Sequence, residues 1–122
     1  LQDTGKKFKD KYSFLSTTRP WDIAEIFKIQ KYLPGEAYYQ LHCENNGFPD
    51  GFTERRMIAW MLYLNDIKEG GETEFPQQDI KFKPKAGNMM FWPAYWTHPH
   101  KGIPAPKEVK YIITGWFSYI KT

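Results

Sequence analysis

Two short stretches of the sequence hold side chains that could bind a metal ion together. The first is His42-Cys43-Glu44, in which a thiol lies between an imidazole and a carboxylate. If this stretch is an extended strand, side chains alternate between faces, so His42 and Glu44 point one way and Cys43 the other. An imidazole and a carboxylate on one face can hold a divalent ion. This spacing is common by chance, so alone it is more often structural than metal-binding.

The second stretch, WTHPHKGI, places His98 and His100 two residues apart near the other end of the chain. On a strand these two imidazoles share a face. Two histidines and one carboxylate on one side of a metal form the facial triad of non-haem Fe(II) oxygenases, which leaves coordination positions open. Such ligands suit Fe(II) or Mn(II), whereas many structural zinc sites use thiolates. The sequence predicts a metal site if the two stretches lie close together.

A lysine stands at the start of the apolar segment VKYIITGWF. Lys110 has the parity of Ile112, Thr114 and Trp116 within that segment. Burying its ammonium group is costly unless an anion meets it. Two interpretations stay open: the ammonium group reaches water at the strand end, or it faces an anionic ligand in the interior.

The elements that position these residues are short strands separated by turn-forming residues about every ten positions. Strand patterns cover eight segments, residues 26–32, 36–44, 55–65, 72–75, 79–84, 88–93, 95–103 and 109–120. Ahead of them, residues 16–25 predict one short helical turn, and residues 1–12 an arm or a frayed helix.

We therefore predict an all-β fold, a double-stranded β-helix (jelly roll) of about eight strands with at most a short N-terminal helix. The 122 residues suffice for one hydrophobic core. Residues 1–24 form the predicted N-terminal arm, and residues 25–122 the predicted jelly-roll domain.

Composition narrows the classes of partner and compartment. The net charge of +3 comes from 17 basic and 14 acidic residues spread along the chain, which predicts neither a nucleic-acid nor a membrane partner. Cys43 is the single cysteine, so no internal disulfide can form. No apolar run approaches 18 residues and no signal peptide is visible, so we predict a cytoplasmic protein. The chain begins at Leu1 rather than Met, which favours a trimmed product.

Four longer blocks, in this order, resemble the Fe(II)/2-oxoglutarate-dependent dioxygenases, and within them the prolyl 4-hydroxylase-like family. The blocks are YLPGEAYYQLHCE, MLYLNDIKEGGETEFP, KPKAGNMMFWP and HKGIPAPKEVKYIITGWF. The resemblance covers roughly residues 25–119. Blocks that agree in order are far more specific than any one of them alone.

The resemblance implies that His42, Glu44 and His100 are the ligands of Fe(II). His98 competes with His100 for the third position, and the family's spacing from the distal histidine to the basic residue favours His100. The family carboxylate is usually Asp, so Glu44 is a departure that could weaken iron binding or admit another metal.

The resemblance also implies a binding pocket for 2-oxoglutarate, in which Lys110 pairs with the distal carboxylate. Tyr63 could donate to the same carboxylate, and Thr114 shares the face of Lys110. Family tyrosines that line the pocket align with Tyr32, Tyr39 and Tyr63, for which plain core packing is an equal alternative. Trp116 is expected as a wall near the metal.

By the same resemblance the chain is a hydroxylase that uses Fe(II), 2-oxoglutarate and O2, with ascorbate as a further candidate cofactor, and releases succinate and CO2. Its expected substrate is a prolyl residue in a peptide or protein, by family analogy alone. The turn-rich loop 45–56 is either a lid, a peptide contact or an ordinary connector. The alternative function is a cupin-like metal-binding module without oxygenase activity, and nucleic-acid demethylation ranks third.

Length is a second departure from the family. Relatives usually carry extra N-terminal helices against the larger sheet, and only about 25 residues precede the resemblance here. The outer face of that sheet is therefore covered by another subunit, or the chain is a minimal core. The sequence does not determine the oligomeric state.

Overall fold

The computed structural model describes residues 1–121 and contains, in that range, one α-helix, three short 3-10 helices and eight β-strands. The helices are α1 (Gln2–Lys11) and the 3-10 helices Ser13–Ser16, Thr53–Arg55 and Pro76–Gln78. The strands are β1 (Trp21–Ile23), β2 (Lys28–Tyr32), β3 (Arg56–Tyr63), β4 (Thr73–Phe75), β5 (Ile80–Phe82), β6 (Met89–Pro93), β7 (Lys101–Gly102) and β8 (Lys110–Tyr119). Thr122, the last residue of the predicted domain 25–122, lies outside the described residues.

The larger sheet is organised around β8, whose ten residues pair antiparallel on both sides. On one side β8 pairs with β3, which in turn pairs with β6. On its other side β8 pairs with β1 through residues 117–119 and with β2 through residues 110–114. Both parities of β3 are buried, as its unbroken apolar sequence predicts.

The smaller sheet has the order β5-β4-β7 and faces the larger one. Beyond β7, the chain around residues 38–42 continues this sheet through main-chain hydrogen bonds. The His42 amide donates to the His100 carbonyl at 3.1 Å, and the His100 amide returns a bond to His42 at 2.8 Å. Two antiparallel sheets with this order confirm the predicted jelly roll, the fold class expected from the sequence.

Three predicted elements differ from the structure. Residues 36–44 form no continuous strand, because only the bridge between His42 and His100 has strand pairing. Of the predicted strand 95–103, only Lys101–Gly102 is a strand. The helical turn predicted at 16–25 is wrong, since Trp21–Ile23 pair with β8 and tertiary pairing overrides the local signal.

The predicted N-terminal arm is ordered against the outer face of the larger sheet. Phe8 of α1 packs edge-on against Phe91, with ring centroids 5.9 Å apart. Gly5 lies against Phe117 and Trp21, where a larger residue would crowd the rings. The boundary at residue 24 stays a prediction. No helix within residues 1–121 is long and apolar enough to span a bilayer.

Two apolar clusters hold the layers together. The inner cluster lies between the sheets and contains Ala59, Met61, Tyr63, Phe75, Met90, Trp92, Ile112 and Trp116. The outer cluster lies under α1 and contains Trp21, Met57, Ile58, Trp60 and Phe117. The inner cluster reaches the metal-binding candidates, because the His100 ring contacts Phe75 and Trp92 of this cluster.

Gly115 offers a test of this packing, because a Cβ atom added there would overlap the Trp60 indole. We expect Gly115→Ala to lower the free energy of unfolding by about 2–3 kcal/mol, as overpacked cores do. Urea denaturation measures this difference. The matched control is Gly102→Ala, whose Cβ would approach no atom closer than 3.4 Å. Equal effects of the two substitutions would contradict the proposed contact.

Candidate active site

Three side chains from two distant parts of the chain converge at the open end of the jelly roll. One ligand atom from each of His42, Glu44 and His100 lies within 4.8 Å of the other two. The Nε2 atom of His42 is 3.6 Å from Glu44 Oε2, and the Nε2 atom of His100 is 3.8 Å from Glu44 Oε1. This is the two-histidine, one-carboxylate set that the sequence predicts.

Main-chain carbonyls fix the orientation of both imidazoles. The Nδ1 atom of His42 lies 2.8 Å from the Gln40 carbonyl oxygen, and that of His100 lies 3.1 Å from the His98 carbonyl oxygen. A carbonyl only accepts, so each Nδ1 carries the proton and donates. Each Nε2 therefore presents its lone pair on the side of Glu44, as a metal-binding histidine requires.

His100 is the buried member of the triad, with 4% of its surface exposed. Its ring packs against those of Phe75 and Trp92, with centroid distances of 5.2 and 5.0 Å. Burial is the main cause that lowers the pKa of His100, which favours the neutral ring. A neutral imidazole is the form that ligates metals.

The two other candidates near the triad play different parts. His98 lies outside the group of three, and its Nδ1 atom is 2.9 Å from Thr97 Oγ1. Its carbonyl, rather than its ring, serves the site by accepting from His100. The Cys43 thiol donates to the Asn45 carbonyl at 3.4 Å and is not part of the group of three.

A cavity of about 480 Å³ extends from the triad into the space between the sheets. Lys110 lines this cavity with 6% of its surface exposed, and Ile112, Thr114 and Trp116 follow it along the same face of β8. The inward orientation of the face that includes Lys110 is therefore confirmed, and the alternative in which Lys110 reaches water is wrong.

The ammonium group of Lys110 has no hydrogen bond or ion pair with any side chain in residues 1–121. Its neighbours are the rings of Tyr32 and Tyr63, whose centroids lie 5.6 and 5.8 Å from Nζ. Burial lowers the pKa of Lys110 to about 8, and the charge of Glu72 opposes this shift. A buried cation without an acceptor is a place where an anionic group fits.

The three predicted tyrosines lie in different surroundings. Tyr32 lines the cavity, and its pKa is raised chiefly by burial. The Tyr63 hydroxyl donates to the Phe82 carbonyl at 3.1 Å, so its proton is already used within the fold. Tyr39 is not brought to the cavity: its side chain is exposed and its hydroxyl donates to the Gly35 carbonyl. Tyr38 lies there instead, its ring 4.4 Å from that of His42.

Thr73 is a cavity residue to which the sequence reasoning gave no role. It is 2% exposed, lines the cavity, and its Oγ1 atom lies 2.7 Å from the Tyr63 hydroxyl. The alternation of Thr73 and Phe75 in β4 could have indicated an inward threonine. The hydroxyl of the predicted residue Thr114 is 3.3 Å from Gln30 Oε1 on β2.

Arg56 is the second cavity residue without an assigned role. Its guanidinium carbon lies 3.8 Å from the Trp116 ring centroid, and its Nη1 atom donates to the Glu44 carbonyl at 3.1 Å. Burial is the main cause that lowers its pKa. Arg56 thus holds the main chain of a candidate ligand against β8, and Trp116 forms a wall of the cavity as predicted.

Metal binding should distinguish the two histidines of the second stretch. We expect His100→Ala to weaken Mn(II) binding by about 100-fold, because a ligand is lost. His98→Ala should bind nearly as well as the native chain, since alanine keeps the carbonyl that accepts from His100. Isothermal titration calorimetry measures both. Greater loss in the His98 variant would assign the third position to His98.

The burial of Lys110 should reduce stability in a pH-dependent manner. The lysine pKa is 10.5 in the unfolded chain and about 8 when folded, so the unfolded state binds more protons between these values and stability rises with pH there. Lys110→Met should therefore stabilise the fold by about 3 kcal/mol below pH 8, and the gain should vanish towards pH 10.5. Urea denaturation at several pH values measures it. A loss of stability that does not depend on pH would contradict the burial of the Lys110 charge. The control is Lys31→Met, which removes an exposed lysine.

Comparison with known proteins places this geometry in a family. A viral collagen prolyl hydroxylase, vCPH from Paramecium bursaria Chlorella virus-1, solved with 2OG, superposes with a TM-score of 0.78 at 26% identity, covering 98% of this chain and 71% of that one. A prolyl-4-hydroxylase from Pseudomonas putida has the same fold, with a TM-score of 0.69 at 24% identity over 98% of this chain and 62% of that one.

Sequence relatives point the same way. A protein of Acanthamoeba polyphaga mimivirus named "Putative prolyl 4-hydroxylase" is 34% identical over 80% of this chain, and prolyl 4-hydroxylase 13 of Arabidopsis thaliana is 26% identical over 84%. The chain spans 46% of the length of each. The family model described as "2OG-Fe(II) oxygenase superfamily" matches residues 27–118. This chain therefore belongs to the 2OG-Fe(II) oxygenase superfamily, and within it resembles the prolyl 4-hydroxylases.

Proposed function

We propose that this chain is an Fe(II)- and 2-oxoglutarate-dependent dioxygenase that hydroxylates a prolyl residue in a peptide or protein and releases succinate and CO2. The observation that carries the proposal is the shared cavity, in which a His-Glu-His triad faces the interior and a buried ammonium group lacks an acceptor. The names of the relatives support the prolyl substrate.

The triad suits Fe(II) because its three ligand atoms lie on one side of the place where the ion would bind, and the cavity lies on the other side. His42 and Glu44 come from one segment and His100 from its bridge partner, so the main chain sets their separation. When bound, Fe(II) supplies the activation of O2 that side chains cannot provide. Phe75 and Trp92 exclude water from the buried side of His100.

The far part of the cavity suits the distal carboxylate of 2-oxoglutarate. Lys110 would pair with that carboxylate, and the cost of burying its charge would be offset. The Thr73 hydroxyl can turn its proton from Tyr63 towards the same group. The rings of Tyr32 and Tyr63 would hold the ammonium group in place between them.

The loop 45–56 would contact the substrate as a rigid rim rather than as a mobile lid. Asp50 accepts from the amides of Phe52 and Thr53 at 2.8 and 2.6 Å, and these bonds lower its pKa to about 2. Phe48 lines the cavity and exposes 62% of its surface, and Phe52 in the same loop exposes 57%. Exposed rings on a hydrogen-bonded loop suit the apolar ring of proline.

The alternative, a metal-binding module without oxygenase activity, gives no reason for a buried cation in the cavity. Ascorbate as a cofactor, a cytoplasmic location, and the expected absence of nucleic-acid and membrane partners stay predictions. The effect of Glu in place of Asp at position 44 also stays a prediction, and metal titration of Glu44→Asp addresses it.

Turnover in the presence of Fe(II), 2-oxoglutarate, ascorbate and proline-containing peptides tests the proposal. Mass spectrometry should detect succinate and a peptide that has gained one oxygen atom. Lys110→Ala should raise the KM for 2-oxoglutarate about 100-fold, because the carboxylate would lose its buried partner. Lys31→Ala on the outer face should leave it unchanged. No consumption of 2-oxoglutarate by the iron-loaded chain would refute the enzyme, and an unchanged KM in the Lys110 variant would refute the assigned pocket.

A further inference from the structure

The side chains that line the cavity carry more positive charges than negative ones. Four cations line it, and among residues 1–121 a single carboxylate, that of Glu44, faces them. The cations are Lys28, Arg56, Lys101 and Lys110. A bound divalent metal and a dianionic cosubstrate cancel each other, so they leave this excess in place.

Two of the four cations are already assigned. Lys110 is the partner of the cosubstrate in the proposed function. Lys101 has its ammonium group 3.7 Å from Glu74 Oε1, so it forms an ion pair within the fold. Lys28 and Arg56 remain, and no carboxylate in residues 1–121 lies within 4 Å of either charged group.

The two unmatched cations lie beside one ring. Lys28 belongs to β2 and pairs with Thr114, whereas Arg56 belongs to β3 and pairs with Ser118, so β8 lies between them. The Trp116 ring on β8 has the Arg56 guanidinium carbon 3.8 Å from its centroid and the Lys28 ammonium 5.9 Å from it. The cations therefore flank Trp116 from both sides.

The nearby carboxylates are engaged elsewhere. The charges of Glu44 and Asp50 raise the pKa of Arg56, but neither is within ion-pair distance. Glu44 faces His42 and His100, and Asp50 accepts from the amide and the hydroxyl of Thr53. Arg56, which is half-buried, thus has no counter-ion within residues 1–121. A bound ligand with an anionic group could supply one.

There is room for a chain at this place. Arg56 and Trp116 also line a second cavity, of about 530 Å³, along the same face of β8. Its charges balance, with three carboxylates (Asp22, Glu25 and Asp50) and three cations (Arg55, Arg56 and Lys121), so the excess of positive charge belongs to the first cavity. A peptide whose proline reaches the triad could continue over Trp116 into this second cavity. Its next polar group would meet Lys28 and Arg56.

We infer that Lys28 and Arg56, on either side of Trp116, bind a carboxylate of the substrate close to the hydroxylated residue. This inference rests on the proposed function and specifies its substrate as an acidic peptide. The carboxylate comes from an Asp or Glu side chain or from the C-terminus of the peptide, because both present the same two oxygens. Arg56 is half-buried and Lys28 is exposed at the cavity wall, and Coulomb attraction by this pair favours a carboxylate over a neutral amide.

Matched synthetic peptides test the inference. Each has one proline, with Glu or Gln on either side, and ends in a free carboxylate or an amide. We expect kcat/KM, measured by mass spectrometry, to be about tenfold higher for the acidic member of at least one pair. The pair that differs identifies the source as side chain or C-terminus, and added salt should reduce the difference.

Variants of Lys28 identify the group responsible. Lys28→Met should remove most of the acidic preference without changing the KM for 2-oxoglutarate, and Lys28→Glu should reverse it in favour of peptides with Lys. The matched control is Lys31→Met, on the same strand and the other face, whose ammonium is also 5.9 Å from a ring centroid, that of Tyr111. Arg56 is left intact because it holds the Glu44 main chain.

The outcomes separate the two proposals. Turnover that is equal for acidic and neutral peptides, or a preference that persists in Lys28→Met, overturns this inference and leaves the hydroxylase. A higher KM for 2-oxoglutarate in Lys28→Met, with the preference unchanged, assigns Lys28 to the cosubstrate and also overturns it. Absence of 2-oxoglutarate turnover with every peptide overturns the proposed function and this inference together.

Discussion

The pair of main-chain hydrogen bonds between His42 and His100 joins two segments that lie far apart in the sequence. Because each residue donates to and accepts from the other, the relative position of the two imidazoles is set by the backbone. The carbonyls of Gln40 and His98 then fix the rotation of each ring. Neither constraint needs a metal to be present, so the three ligand atoms are held within a few ångströms of each other by the fold alone.

The rest of the cavity lowers the stability of the folded chain. The interior contains an ammonium group without a partner, and burial displaces its pKa from 10.5 to about 8. The buried Nε1 atom of Trp116, which lines the cavity, also has no hydrogen-bond partner within residues 1–121. Functional sites commonly break the rules of core packing in this way, and the two surrounding apolar clusters compensate for it.

The fold could be predicted where the local pattern and the tertiary environment agree. Strands β3, β6 and β8 have long apolar or alternating sequences, and their predicted ranges lie within a few residues of the observed ones. Strand β1 was missed because three residues after a proline have no periodicity, and pairing with β8 decides their conformation. Residues 36–44 have a strand-like composition, but only a short stretch of chain is available to pair with them.

The site was predictable to the level of residue types, and less so in its details. His98 and His100 have the same parity, so parity alone could not choose between them, and the family's spacing to the basic residue favoured His100. The structure leaves His98 outside the group of three, with its Nδ1 atom beside Thr97 Oγ1. Tyr38 and Tyr39 have opposite parities, and the register that brings Tyr38 to the cavity depends on the bond from the Gly102 amide to its carbonyl. The alternation of Thr73 with Phe75 could have indicated Thr73. Lys28 and Arg56 carry no local signal, because their importance comes from neighbours on other strands.

The central position of β8 has a further consequence. A strand hydrogen-bonded on both sides opens only when the sheet does, so its amides should exchange with solvent through global unfolding, and any ligand held by Lys110 would protect the whole domain rather than one loop.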